Sequence, residues 1–141
     1  MTDDDMTQKL VLLPEGLAEE NVLSWQDARH YYQQFIFDHA DSIFKYLLDL
    51  IESVLQIEEA KLFRVYPDKD LLILSTTTEE DRVYGDFFIV VRLIDESTTD
   101  IGCYRPTEAV DSVVCKSNEI LLRLQPLLNR LWNETRGKKN T

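Results

Sequence analysis

The chain has 141 residues, 44% of them hydrophobic and 29% charged, with 26 acidic against 15 basic side chains and a formal net charge of -11. That length suits one compact domain of about 100–150 residues whose core needs no covalent staples. The acidic surplus works against a phosphate backbone, which is bound through Lys and Arg, and no apolar run approaches the roughly twenty residues of a membrane span, so direct nucleic-acid binding and membrane insertion are set aside.

The cysteines, Cys103 and Cys115, make no paired motif, and the first residues lack the charged, apolar and small-residue layout of a signal peptide. The expectation is a cytoplasmic protein with free thiols.

In chain order, residues 1–7 are acidic and polar, and an apolar run at 10–13 is cut off by Pro14 and Gly16. That run reads as a segment docking on its own domain, with docking on a neighbour as the alternative. Residues 1–23 are thus expected to be an acidic flexible tail and docking segment, ahead of a single domain over 24–135 and a frayed basic tail at 136–141. Ser24 suits a helix N-cap, its hydroxyl accepting a first-turn N–H while Asp27 reaches back. Residues 26–56 hold no Gly or Pro, and their apolar side chains, among them Ala28, Tyr32, Phe35, Phe44 and Leu48, cover roughly 220° of a helical circumference. A helix lying once on a core needs a stripe only a little over about 100° wide. One long helix covered on two sides is predicted, with a mostly acidic solvent face of Asp27, Gln34, Asp38, Asp41, Lys45, Asp49 and Glu52.

Strands are predicted at 61–66 and 71–76 around a Pro67-Asp68 turn, then at 83–94 and 101–104, with polar turns at 77–82 and 95–100. In the third, Val83, Phe87, Ile89, Val91 and Leu93 share the core face, while Tyr84, Asp86, Phe88, Val90 and Arg92 share a face only partly wet. Connections this short join antiparallel neighbours. Residues 107–133 read as a closing helix, because Val110, Val113, Val114, Leu121, Leu124 and Leu128 fall on a stripe of roughly 140°; Pro126, on its polar side, bends it. The predicted fold is α+β: a two-layer sandwich in which an antiparallel meander of about three to four strands is packed by a long N-terminal helix and a C-terminal amphipathic helix.

Catalytic material is thin. His30 and His39 project from roughly opposite sides of the helix and do not share a metal, and His39 falls inside the apolar arc as a core histidine does. Acidic residues at 68–70, 79–81 and 95–100 read as solvated turns, and Arg64, Arg82, Arg92 and Arg105 as partners of the surplus acids. The four glycines form no phosphate-cradling loop. A non-enzyme without a cofactor is expected.

Two features exceed a minimal core: the width of the long helix's apolar arc, and Cys115 with Leu122, which fall off the closing helix's stripe. Candidate partner-binding residues are therefore Tyr31, Phe35, His39 and Tyr46 of the long helix, of which Phe35, His39 and Tyr46 lie in the arc, Asp38, Asp41, Asp49 and Glu52 from the acidic face, and Cys115 and Leu122. They support a non-catalytic interaction module, an adaptor or chaperone-like protein, acting as a homodimer through the long helix or on a protein client. In size, acidity and amphipathic closing helix the chain resembles the small acidic chaperones that hold secretion substrates. Two alternatives stand beside this. The order of long helix, antiparallel sheet and closing helix resembles GAF-type regulatory domains and implies a small-molecule sensor, although 74–83 is short for their helical crossover. The acidic face alternatively suits an inhibitor or mimic that binds a basic protein.

Overall fold

The computed structural model describes residues 2–38, 43–76 and 87–135. The chain runs through α1 (Thr2–Val11), α2 (Leu17–Asp38), α3 (Lys45–Val54), a 3-10 turn (Glu58–Lys61), β1 (Arg64–Asp68), β2 (Leu71–Ser75), β3 (Phe88–Leu93), β4 (Thr98–Arg105), β5 (Glu108–Lys116), a second 3-10 turn (Ser117–Glu119) and α4 (Ile120–Thr135). It is an α+β fold in which helices cover one face of an antiparallel sheet. None of the described helices is long and apolar enough to cross a membrane.

The N-terminal region departs from the flexible tail expected for residues 1–23. Thr2–Val11 is helical, and α2 already starts at Leu17, so the boundary expected at 24 falls inside a helix. Between the two, Gly16 takes φ of 85°, a left-handed conformation that glycine adopts without steric cost. The Leu17 N–H donates to the Pro14 carbonyl (3.1 Å) and the Glu20 N–H to the Gly16 carbonyl (3.1 Å), which starts α2 without Ser24.

Ser24 instead joins α2 to the sheet. Its hydroxyl donates to the Asn21 carbonyl at 2.6 Å and accepts the Val65 N–H at 3.1 Å. Further side chains of α2 repeat the pattern along β1. Asn21 Nδ2 donates to the Lys61 carbonyl (2.8 Å), Trp25 Nε1 to the Phe63 carbonyl (2.7 Å), and the Tyr31 hydroxyl accepts the Lys69 N–H (3.0 Å). The Tyr32 hydroxyl shares its proton between the Lys69 and Leu71 carbonyls at 2.9 and 3.0 Å, holding the β1–β2 turn in which Lys69 sits at a φ of 55°. Tyr32→Phe is expected to cost about 1–2 kcal/mol in urea unfolding, since two part-buried hydrogen bonds from the buried ring's hydroxyl are lost. Burial, with Tyr31 as the next cause, also holds this hydroxyl well above the ordinary tyrosine value. The proton therefore stays on in the folded chain at a pH that ionises the unfolded one, and the stability it gives fades as pH rises above about 10. Tyr32→Phe should flatten that alkaline decline.

The helix expected over 26–56 is two helices. α2 ends at Asp38 and α3 begins at Lys45, with residues 39–42, including His39 and Asp41, lying outside the described residues. The rings of Phe35 and Phe44 lie 4.9 Å apart, whereas nine residues of continuous helix would separate them by about 13 Å along the axis. Phe44 also stacks on Tyr32 at 6.0 Å. α3 has therefore returned against α2, and the excess arc is explained by the two helices covering each other as well as the sheet. Leu47, Leu50, Ile51 and Val54 are buried, and Phe35, Ile43, Tyr46 and Leu48 pack partly buried around them.

The sheet is five-stranded, in the order β1-β2-β3-β4-β5, all antiparallel, one strand or more beyond expectation. The added strand is β5, read from sequence as the start of the closing helix. Arg105 pairs with Glu108 across the Pro106-Thr107 turn, where proline presets the φ of a turn's second residue, and the strand returns along β4. The closing helix proper starts only at Ile120 and carries Pro126 on its exposed side. The beginning of the expected third strand and the 77–82 turn lie outside the described residues.

Alternation along the strands separates two faces. Val65, Leu72, Leu74, Ile89, Val91 and Ile101 turn to the helices and join the main core, with Phe87 and Leu93 beside them. Ile73, Phe88 and Val90 turn to the other face in a smaller cluster with Tyr66, Leu71 and Tyr104. There the Tyr104 ring lies across Gly102, where an added Cβ would come within 2.6 Å of it, and stacks on Phe88 at 5.6 Å.

Candidate interaction surface

The two edges of the sheet differ. β1 lies along α2, whose Ser24 and Tyr31 hydroxyls take the N–H groups of Val65 and Lys69. At the other edge every residue of β5 is partly or fully exposed, and Val114 keeps 61% of its surface open. The ladder fixes which β5 groups point outward. Thr99 pairs with Cys115 and Ile101 with Val113, and the Ser117 N–H continues the series to the Ser97 carbonyl at 3.1 Å. In an antiparallel ladder alternate residues bond the same neighbour. Val113, Cys115 and Ser117 thus bond β4, while Ser112, Val114 and Lys116 aim their N–H and C=O groups away from it. Asp111 Oδ1 accepts the Ser112 N–H at 2.8 Å, a local cover of the kind that blunts sheet edges.

A bulge limits the regular part of this edge. Cys103 pairs with Asp111 but Tyr104 with Ala109, leaving Val110 as the extra residue. Asp111 to Lys116 therefore forms the ordered pairing window. On its helix side, Val113 and Cys115 pack partly buried against the core, and Arg130 pairs with Asp111 at 3.3 Å. Burial, then Glu119, raises the Cys115 thiol above its usual value, and burial pushes Cys103 up to about 11. Both thiols are held protonated at neutral pH and are poor nucleophiles.

The residues singled out from sequence are not gathered in one place. Tyr31 and Phe35 turn toward each other, rings 5.0 Å apart, in the aromatic seam that α3 closes. Tyr46 lines a crevice of about 150 Å³ with Asp49, Ser117 and Asn118, and the Lys45 ammonium lies 5.3 Å from its ring. Asp38, Asp49 and Glu52 are exposed on two different helices. His39 and Asp41 lie outside the described residues. Cys115 and Leu122, expected on one side of a single helix, sit on different elements: Cys115 on β5, and Leu122, 63% exposed, on the solvent back of α4.

Of the arginines, Arg105 pairs with Glu108 (3.6 Å) and Glu134 (3.2 Å). It flanks the buried Phe87 ring at 5.7 Å together with Arg130 at 5.8 Å. These guanidinium groups are spent on acids and on an aromatic ring; Arg82 is outside the described residues. Among the described residues no group of three or more His, Cys, Asp or Glu side chains is placed to hold a metal ion. A cleft of about 320 Å³ opens beside the free edge between Ser97, Val114, Lys116, Glu119 and Arg123.

Sequence reasoning missed Val114 as a surface group because it fell on the supposed helical stripe. A β-branched run opened by a Pro-containing turn was the signal available. The geometry defines a class of protein, an α+β scaffold with one covered and one open sheet edge. Beyond that class the chain matches no family model, no curated protein and no solved structure.

Proposed function

We propose that the chain is a non-catalytic interaction module that pairs with a second copy of itself edge to edge through β5. The observation that supports this is the row of outward backbone groups at Ser112, Val114 and Lys116. A two-fold axis through Val114 puts Val114 opposite its own copy, Ser112 opposite the copy's Lys116, and Val113 opposite the copy's Cys115. The two Val114 residues then exchange both their N–H and C=O groups and each Lys116 N–H meets the copy's Ser112 carbonyl, while the Ser112 N–H stays on Asp111 Oδ1, and like faces meet. The long helix, the first candidate for such an interface, already has much of its arc covered by α3 and the sheet, so the pairing moves to the edge. An adaptor or chaperone-like role follows from a pair of identical scaffolds that leaves both sets of helices free for a client.

The test is sedimentation over a dilution series. The wild-type chain is expected to dimerise reversibly. Val114→Lys, which sets two ammonium groups face to face at the axis, should be a monomer with an unchanged far-UV spectrum. Val114→Pro should do the same, because it removes an outward N–H and no ladder bond to β4. A wild-type monomer at the highest soluble concentration, or a dimer that both variants leave intact, would refute edge pairing.

A further inference from the structure

α1 and the turn after it are seated on the domain through apolar and basic side chains. Met6, Leu10 and Leu13 pack partly buried against the core, and the Lys9 ammonium donates to Asn129 Oδ1 at 3.1 Å and lies 5.8 Å from the Trp132 ring. The surface beneath is far more apolar than α1 itself. Leu62, Phe63, Leu128 and Trp132, between α4 and the Glu58–Lys61 turn, are each at most 3% exposed. The fit is incomplete, because a cavity of about 170 Å³ remains between Met6 and Lys9 on one side and Leu62, Phe63 and Leu128 on the other. α1 spans ten residues, shorter than the roughly twelve to fifteen an isolated helix needs in water. It ends at a joint where Val11 and Leu12 are 77% and 56% exposed and Gly16 is left-handed. A short helix over a deeper groove, followed by an exposed joint, is placed to leave.

We infer that the groove between α4 and the Glu58–Lys61 turn is a helix-accepting site that α1 fills in cis, and that it takes the amphipathic helix of a partner protein. α1 with the turn that follows it is the template for that partner: apolar side chains at i and i+4 of the helix, as at Met6 and Leu10, a third in the turn beyond it, as at Leu13, and a Lys or Arg at i+3, as at Lys9. The basic residue is selected by the Asn129 amide, the Trp132 ring and Glu59 at the rim. The residual cavity favours a larger apolar side chain than methionine at the first position, so a partner carrying Phe there outcompetes α1. This is groove recognition of an amphipathic helix with the competitor built into the chain.

The test uses the full-length chain and a fluorescent peptide of residues 2–13. With Leu10→Asp releasing α1, the peptide should bind at least about tenfold more tightly than it does to the wild type, where α1 competes. A Met6→Phe peptide should bind more tightly still, and a Lys9→Glu peptide should lose most of the binding. A folded Leu10→Asp chain that binds no peptide overturns the inference. Hydrogen exchange on the wild type supplies a second arm. Amides of α1 should exchange at least about a hundredfold faster than those of α4, as an independently opening unit does; equal protection makes α1 an integral part of the core and overturns the inference. Edge pairing and groove binding fail separately, because the Val114→Lys monomer keeps the groove whole.

Discussion

Trp25→Ala should leave the chain barely stable, with an expected loss of about 3–5 kcal/mol from the emptied ring volume. Trp25 is fully buried, and its indole N–H is the donor to the Phe63 carbonyl at 2.7 Å. Leaving that carbonyl unsatisfied adds about 1–3 kcal/mol. Against a total of about 5–15 kcal/mol for a domain, the sum approaches the whole, and thermal unfolding should move down by tens of degrees or lose cooperativity. Trp25→Phe separates the contributions, since it keeps most of the ring and removes the donor. A Trp25→Ala midpoint within a few degrees of wild type would mean that α2 does not close the core along β1.

Phe44→Asp is the second large effect. Its ring meets Phe35 at 4.9 Å and Tyr32 at 6.0 Å in the seam between α2 and α3. A carboxylate there loses the aromatic contacts and is driven toward water, at an expected cost of about 2–4 kcal/mol. The change should appear as destabilisation in urea, with the self-association constant unaltered wherever the variant remains folded. If Phe44→Asp instead kept its stability and abolished dimers, the seam rather than β5 would be the interface.

The course of the chain was legible where one period ran undisturbed. The strand expected at 71–76 runs one residue beyond β2, and the one expected at 83–94, with Phe87, Ile89, Val91 and Leu93 on the core face, contains β3 and ends one residue beyond it, its start lying outside the described residues. The outer face of β3 was rightly read as only partly wet, since Phe88 and Val90 are 7% and 9% exposed. β5 was hidden by its bulge. With Val110 as the extra residue, Val110 and Val113 reach the same side although three positions apart, and that spacing reads as helix although the chain is extended. The return of α3 was hidden for another reason. No Gly or Pro marks residues 39–42, and the apolar arc is the same whether one helix is covered twice or two helices cover each other. The candidate surface was less legible than the fold, because an open edge is a property of the neighbours a strand lacks, which no residue of that strand encodes.

The unequal edges also bear on the stoichiometry of the proposed pair. When two copies join through β5, the composite sheet ends at both extremities in β1, and β1 is occupied by Ser24 and Tyr31 of α2. No third chain finds an end to extend. Sheets that are open on both sides can grow without limit into fibrils; in the proposed pair the open β5 edge of each copy would be taken up by the other. In the proposed pair α2 would act as a chain terminator, and the sequence between Asn21 and Tyr32, which says nothing directly about partners, would limit the number of copies.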